Sequence, residues 1–306
     1  MSNESAFSRL HPLTLSLWFF FVLTVTVMTV NPILAALSLL FSALYKALTT
    51  GISIKGISVS LAFMLLIALL NPLFSHHGVT VLFFLNDLPV TLESLLFGGM
   101  MSLVVMSSVL WCGALALCMT SDKVIWLFGK PFPKLAVLIS LTLRLLPAIK
   151  TSYGRMKDAR TAAGLYDDSS PFARISSSLR IFSALVTMIL EDSIDTADSM
   201  KARGLMLRGR TSCSIFRFRP ADFAVLALVL LSAAAAAYSS VSKAVSFTFY
   251  PAVSYGSMGA VTALTYGSFA LTAVVPSFME VTLWKQLHST TYRSNTPQAR
   301  NSRSTV

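Results

Sequence analysis

Thr196-Ala-Asp-Ser-Met-Lys-Ala-Arg-Gly-Leu205 closes a long charged segment lying between two strongly apolar parts of the chain. The segment has too few apolar residues to span a bilayer and too many for a solvated linker. Working back from its end, Glu191, Asp195 and Asp198 fall at i, i+4 and i+7, which makes one helix face acidic. Phe182, Leu185, Val186 and Ile189 recur at helical spacing and suit an apolar neighbour. Upstream, Asp167-Asp168-Ser169-Ser170-Pro171 offers capping side chains and a proline for the first turn. The reading is one helix from Phe172 to Arg203, stopped by Gly204. At about 1.5 Å per residue it is long enough to cross the face of a helical bundle. Ala202-Arg203-Gly204 then presents one arginine at a helix end. Either that cation answers the last-turn carbonyls, or its planar fork is held out for a carboxylate on a partner.

The flanks of this segment set the class. Of 306 residues, 55% are hydrophobic and 12% charged, with a mean hydropathy of +0.71. Soluble domains carry about 25% charged residues, so the chain reads as an all-α integral membrane protein. Apolar runs at Leu13–Thr29, Ile33–Leu48, Ile57–Leu73 and Gly98–Met119 precede the charged block, and Ala221–Ser239 and Ala252–Val275 follow it. Each approaches the roughly 17–25 residues a spanning helix needs. Asn31-Pro32 turns the first pair, and Asn71-Pro72 closes the third run. The organisation expected is a four-span region (1–120), a cytoplasmic region of long amphipathic helices (121–220), a two-span region (221–280) and a polar, basic, disordered tail (281–306).

Orientation follows from the loops. A cytoplasmic N-terminus puts Lys46 and Lys55, the central block and the tail inside. It leaves the Ser75–Glu93 loop, which has no Lys or Arg, and the short loop with Lys243 outside. Six spans with both termini in the cytoplasm result. The net charge of +11 gathers in the central block, which reads as a cytoplasmic face and not as a nucleic-acid surface. The first apolar run lacks a small-residue cleavage site, so it reads as a retained span. Cys112, Cys118 and Cys213 have neither disulfide nor metal spacing.

Within the central block, Leu135-Ala-Val-Leu-Ile-Ser-Leu-Thr-Leu-Arg-Leu-Leu146 is apolar but carries Arg144 and is closed by Pro147. A membrane-surface or re-entrant helix is expected there, with Pro147 kinking or restarting it. A second helical piece follows from Ala148, bearing Lys150, Arg155, Lys157 and Arg160, and Gly164 is its natural C-terminal cap.

Taken together, these motifs resemble a family. Thr196 to Gly204 with Gly209-Arg-Thr211, Asn71-Pro-Leu-Phe-Ser-His-His-Gly-Val-Thr-Val-Leu-Phe83, Ser121-Asp-Lys123 with Leu127-Phe-Gly129, and Leu143-Arg-Leu-Leu-Pro147 are similar to the transmembrane T component of energy-coupling factor (ECF) transporters, the EcfT/CbiQ family. They run in family order across roughly residues 11–275. The resemblance implies a bacterial plasma-membrane scaffold, non-catalytic and without a cofactor. It would join two cytoplasmic ABC ATPases (the A components) to a membrane S component that captures a vitamin or other micronutrient. Two coupling helices would end in Ala-Arg-Gly-like motifs, each arginine docking in one ATPase. Ala202, Arg203 and Gly204 match that motif directly. Aligned on its glycine, the first motif reads Ala162-Ala163-Gly164, with alanine in the arginine's place. Arg160, three residues earlier on nearly the same face, is the candidate substitute. Arg144 and Pro147 are supporting residues of the coupling region.

Other readings draw on the same residues. Glu191-Asp192 and Asp167-Asp168 suit a membrane enzyme that handles a lipid or prenyl substrate with a metal, although compact metal motifs are lacking. A self-contained channel would call for ionisable residues inside the spans, where almost none occur. His76 and His77 raise metal uptake, as in a dedicated cobalt- or nickel-type ECF subunit, but they also suit an ordinary surface loop. The chain has no G-x-x-x-x-G-K-[ST] loop, so ATP hydrolysis would belong to a partner.

Overall fold

The structure, a computed structural model, describes residues 5–51, 53–74, 80–85, 88–129, 131–204, 207, 216–243, 245, 247–249, 254–255 and 259–294. His76, His77, Asp87, Cys213, the Gly209–Thr211 motif and the tail beyond Ser294 lie outside these residues. The fold is that of an all-α integral membrane protein. Nine helices are described: α1 (Pro12–Met28), α2 (Pro32–Thr50), α3 (Ile54–Phe74), α4 (Leu92–Cys118), α5 (Ser121–Gly129), α6 (Pro133–Ala162), α7 (Pro171–Ala202), α8 (Pro220–Val241) and α9 (Ala260–Ser294). The chain divides into two compact units. One holds residues 1–121 and 216–306, the other Asp122–Ile215.

The helix starts follow local chemistry. Asn31 accepts the Ile33 N–H at 3.0 Å just ahead of Pro32, and Ser170 accepts the Ala173 N–H at 3.1 Å ahead of Pro171. Each side chain satisfies a donor that the helix leaves open, and each proline loses nothing at the first helical position.

In the first unit, α1, α2, α4, α8 and α9 pack around an aromatic core, and α3 packs on α4. Phe7, Trp18, Phe19, Tyr45 and Trp111 are fully buried. Trp18 meets Phe7 and Trp111 edge-on, at ring separations of 5.1 and 5.2 Å, the arrangement that opposed ring edges and faces favour. The polar tips are satisfied inside: the Trp18 indole donates to the Thr272 carbonyl at 3.1 Å, and the Trp111 indole to Ser38 Oγ at 3.0 Å. Lipid offers no substitute partner, so such bonds fix the helices in register. At one end of the bundle the buried Asp222 accepts the His11 N–H and the Arg219 N–H, both at 2.7 Å, tying the start of α1 to that of α8.

Six of these helices, α1, α2, α3, α4, α8 and α9, occupy the six expected spans. Among the described residues, seven helices are long and apolar enough to cross a membrane: α2, α3, α4, α6, α7, α8 and α9. With 17 residues, α1 is the shorter apolar helix. That α6 and α7 pass the same test was not expected. Their charges gather toward their C-terminal halves, leaving in each a largely apolar stretch of span length that still carries two charges, Arg144 and Lys150 in α6 and Arg174 and Arg180 in α7.

Three further differences concern proline and the loops. Pro147 neither ends nor restarts a helix, since α6 runs through it for 30 residues. Likewise α3 continues past Pro72, and α9 contains Pro276. A proline removes one N–H, here the one that would reach the Leu143 carbonyl, and crowds one turn; α6 carries on through it. The loop after α3 contains a hairpin of β1 (Val81–Leu85) and β2 (Leu88–Thr91). A second, two-residue pairing joins β3 (Phe247–Thr248) to β4 (Ser254–Tyr255), so α9 starts at Ala260, later than the expected Ala252. It then extends to Ser294, into the stretch expected to be a disordered tail.

Candidate functional site

The candidate site consists of two helix ends in the second unit. In that unit α6 packs against α7, and the buried residues of α7 are Ser177, Ile181 and Leu185, spaced four apart. This is one short stripe on a 32-residue helix. Phe182 is 62% exposed and Ile189 half-buried, so of the four apolar residues singled out only Leu185 is enclosed. The Ser177 hydroxyl also binds Asp167, accepting its N–H at 3.2 Å and donating to its carbonyl at 3.3 Å. The connection between the helices is thereby stitched to α7. An ion pair between Arg174 and Asp168 closes the same turn. The Asp167 carboxylate accepts the Ser169 N–H at 2.9 Å. Its bonds to Ser169 hold its pKa below the ordinary carboxylate value.

Both helices stop by the same backbone device. Gly164 has φ of +71° and Gly204 φ of +83°, in the left-handed region that only glycine enters without a Cβ penalty. At the α6 end the Gly164 N–H reaches the Thr161 carbonyl at 3.0 Å, and the Leu165 N–H reaches Arg160 at 2.9 Å. These two bonds form a Schellman termination. At the α7 end the Gly204 N–H reaches Lys201 at 2.9 Å, and the Arg203 N–H reaches Ser199 at 3.1 Å.

What the two ends display differs. Arg203 is itself the C-cap residue of α7, exposed, with Ala202 exposed beside it. Among the described residues it forms no ion pair; the nearby pair is Lys201 with Asp198 at 3.0 Å. At the α6 end the C-cap position belongs to Ala163. Arg160 lies one turn back, about 4.5 Å lower along the axis, and is half-buried. Lys157 sits over the Tyr166 ring, 5.2 Å from its centre, so that cation is engaged within the unit. Arg144 and Pro147 are exposed on α6, roughly 24 and 20 Å along the axis from Arg160 by helical rise. No hydrogen bond or ion pair among the described residues joins Arg144, Arg160 and Arg203.

The carboxylates of α7 stay apart. Glu191, Asp192, Asp195 and Asp198 are all exposed. Among the described residues, no group of three or more His, Cys, Asp or Glu could hold a metal ion. The sequence reading overlooked the buried Asp222 and the half-buried Glu280, which accepts the Ala6 N–H at 2.8 Å, and placed in a loop the Glu93 that is buried in the first turn of α4. Asp222 follows Pro220 by two residues, a helix-start pattern legible in advance; nothing local marks Glu280.

The family model for CbiQ, described as cobalt transport protein, matches residues 3–213. The chain belongs to the CbiQ family. A curated relative, the energy-coupling factor transporter transmembrane protein EcfT of Listeria innocua, is 29% identical over 206 residues, covering 62% of this chain and 77% of the relative. The matched region of this CbiQ-family chain takes in both glycine-terminated ends of the second unit. It is a multi-pass transmembrane component of the ECF transporter class.

Proposed function

We propose that the chain is the coupling subunit of an ECF-type ABC importer, linking ATP hydrolysis by two cytoplasmic ATPases to uptake through a substrate-binding S component. In this reading the polypeptide does no chemistry. The second unit is its cytoplasmic coupling region, both termini lie in the cytoplasm, and the regions at 1–120, 121–220 and 221–280 take the roles of membrane entry, coupling and membrane return. Ala202, Arg203 and Gly204 form one ATPase-docking tip, and Arg160 with Gly164 forms the other. Arg144 and Pro147 support the helix leading to the second tip.

The observation that carries the proposal is the end of α7: an arginine at the C-cap of a 32-residue helix, exposed, on a glycine-set termination. A long helix transmits displacement along its axis, and a guanidinium at its tip can make paired, charge-assisted bonds to a carboxylate. Closure of an ATPase pair would thus be felt as a push on the helix ends. Replacing Arg203 by glutamate is expected to abolish co-purification of an ATPase or uncouple its hydrolysis from uptake. Normal assembly and uptake by Arg203→Glu would refute the docking role.

The family's description supports a second reading of the cargo: a dedicated subunit of a cobalt- or nickel-type importer in place of a shared vitamin module. Identifying the small membrane proteins that co-purify with the chain separates the two. Several S components of differing specificity indicate a shared module, and a single metal-specific partner a dedicated one.

A further inference from the structure

In the first unit a cleft of about 360 Å³ opens between α2, α3 and α4. Its volume lies in the range of small-ligand sites. Val59, Phe63, Met106, Val109 and Leu117 make it largely apolar, while Lys46, Thr49, Thr50 and Ser60 gather at the end where α2 stops and α3 begins. Val59, Val109 and Leu117 are more than half exposed, so the cleft opens to the outside of the bundle. Gly113 lies in its wall, and no atom is within 4 Å of where a Cβ would stand. Lys55 lies one helical turn before Val59 on the same face of α3.

The charged side chain lining the cleft, that of Lys46, is cationic; Glu280 of α9 is near enough to act on Tyr45, but its carboxylate accepts the Ala6 N–H. No carboxylate lines the cleft, and between residues 5 and 86 the sequence contains no Asp or Glu. Glu93, on α4, is 13 residues from Met106, or about 20 Å along the helix. Neither Lys46 nor Lys55 forms an ion pair among the described residues. Exposed lysines above an apolar slot at the end of membrane helices match one molecule, with an anionic head and a hydrocarbon tail. We infer that the cleft binds an anionic phospholipid, with an acyl chain between α2, α3 and α4 and the phosphate at Lys46, supported by Lys55. The hydroxyls of Thr50 and Ser60 are bonded to carbonyls of their own helices, which leaves the lysines as the source of head-group selectivity.

The test is native mass spectrometry of the full-length chain from bilayer discs holding equal phosphatidylglycerol and phosphatidylcholine. Each lysine near an anionic head group contributes enough for about fivefold selectivity. The wild type should therefore retain phosphatidylglycerol over phosphatidylcholine by about fivefold or more. The Lys46→Gln, Lys55→Gln double variant should bind both about equally. Gly113→Leu, which has room for its side chain, should lose retention of both lipids without a change in melting temperature. Equal retention of the two lipids by the wild type, full retention by Gly113→Leu, or a cleft found filled by a partner's helix with lipid excluded would each overturn the proposal.

Discussion

The ends of α6 and α7 are built alike and equipped differently. Each stops on a glycine with positive φ, +71° and +83°, whose own N–H returns to a carbonyl of the last turn. Yet the residue at the cap is Ala163 in one and Arg203 in the other. At the α6 end the nearest cations are set back from the cap: Arg160 is half-buried, and Lys157, though exposed, rests on Tyr166. At the α7 end Arg203 faces outward. Backbone shape and side-chain chemistry have thus been separated within one unit. The shape recurs without the arginine, so it specifies where a tip is, not what the tip binds.

The largest expected effect comes from the tip cation. A hydrogen bond to a charged group contributes about 1.5–3 kcal/mol, so Arg203→Glu should lower substrate uptake by about tenfold or more. Arg160→Glu should lower it only about threefold, being set back from the tip. Uptake measured in cells carrying each variant checks the ratio, and equal losses would erase the asymmetry.

Ala163→Arg should do the converse. Placing an arginine at the exposed cap of α6 should raise retention of the ATPases on the immobilised chain by a few-fold, read in pull-downs at increasing salt. No gain would mean that the α6 end does not dock through this position.

The caps themselves are expected to differ. An alanine in the left-handed region costs about 1–2 kcal/mol. At Gly164 a Cβ meets open space, whereas at Gly204 it would stand 2.9 Å from Leu207 Cδ1. Gly204→Ala should therefore fray its helix end more than Gly164→Ala, seen as faster amide exchange at residues 200–204 than at 160–164.

The smallest effect concerns the turn between the helices. Asp167 has its pKa lowered by its bonds to Ser169, so its contribution is present above the ordinary carboxylate value and is lost as pH falls below it. The melting-temperature gap between wild type and Asp167→Asn should be small near neutral pH and close on acidification below about pH 4. A gap that widens on acidification would contradict this assignment.

Much of this comparison was legible in the sequence because its determinants are local. Asn31-Pro32 and Ser170-Pro171 mark helix starts with a side-chain acceptor and a proline, and both fall where expected. Gly164 and Gly204 mark the stops for the same kind of reason. Pro72 was expected to close its helix and Pro147 to kink or restart one, yet α3 and α6 run through them; one lost N–H does not stop a helix whose other bonds persist. The β1–β2 hairpin was missed because Val-Leu-Phe-Phe-Leu is a short apolar run without a distinguishing period. Which cation faces outward was legible only in part: the sequence places Arg160 and Arg203 near their caps, but the partial burial of Arg160 depends on tertiary packing.

The most direct test is to add the purified ATPases to the immobilised chain and measure how much of each is retained by wild type, Arg160→Glu and Arg203→Glu. The account predicts that Arg203→Glu loses one ATPase by tenfold or more while the other stays, and that Arg160→Glu weakens the second only about threefold. Full retention of both ATPases by Arg203→Glu would contradict it.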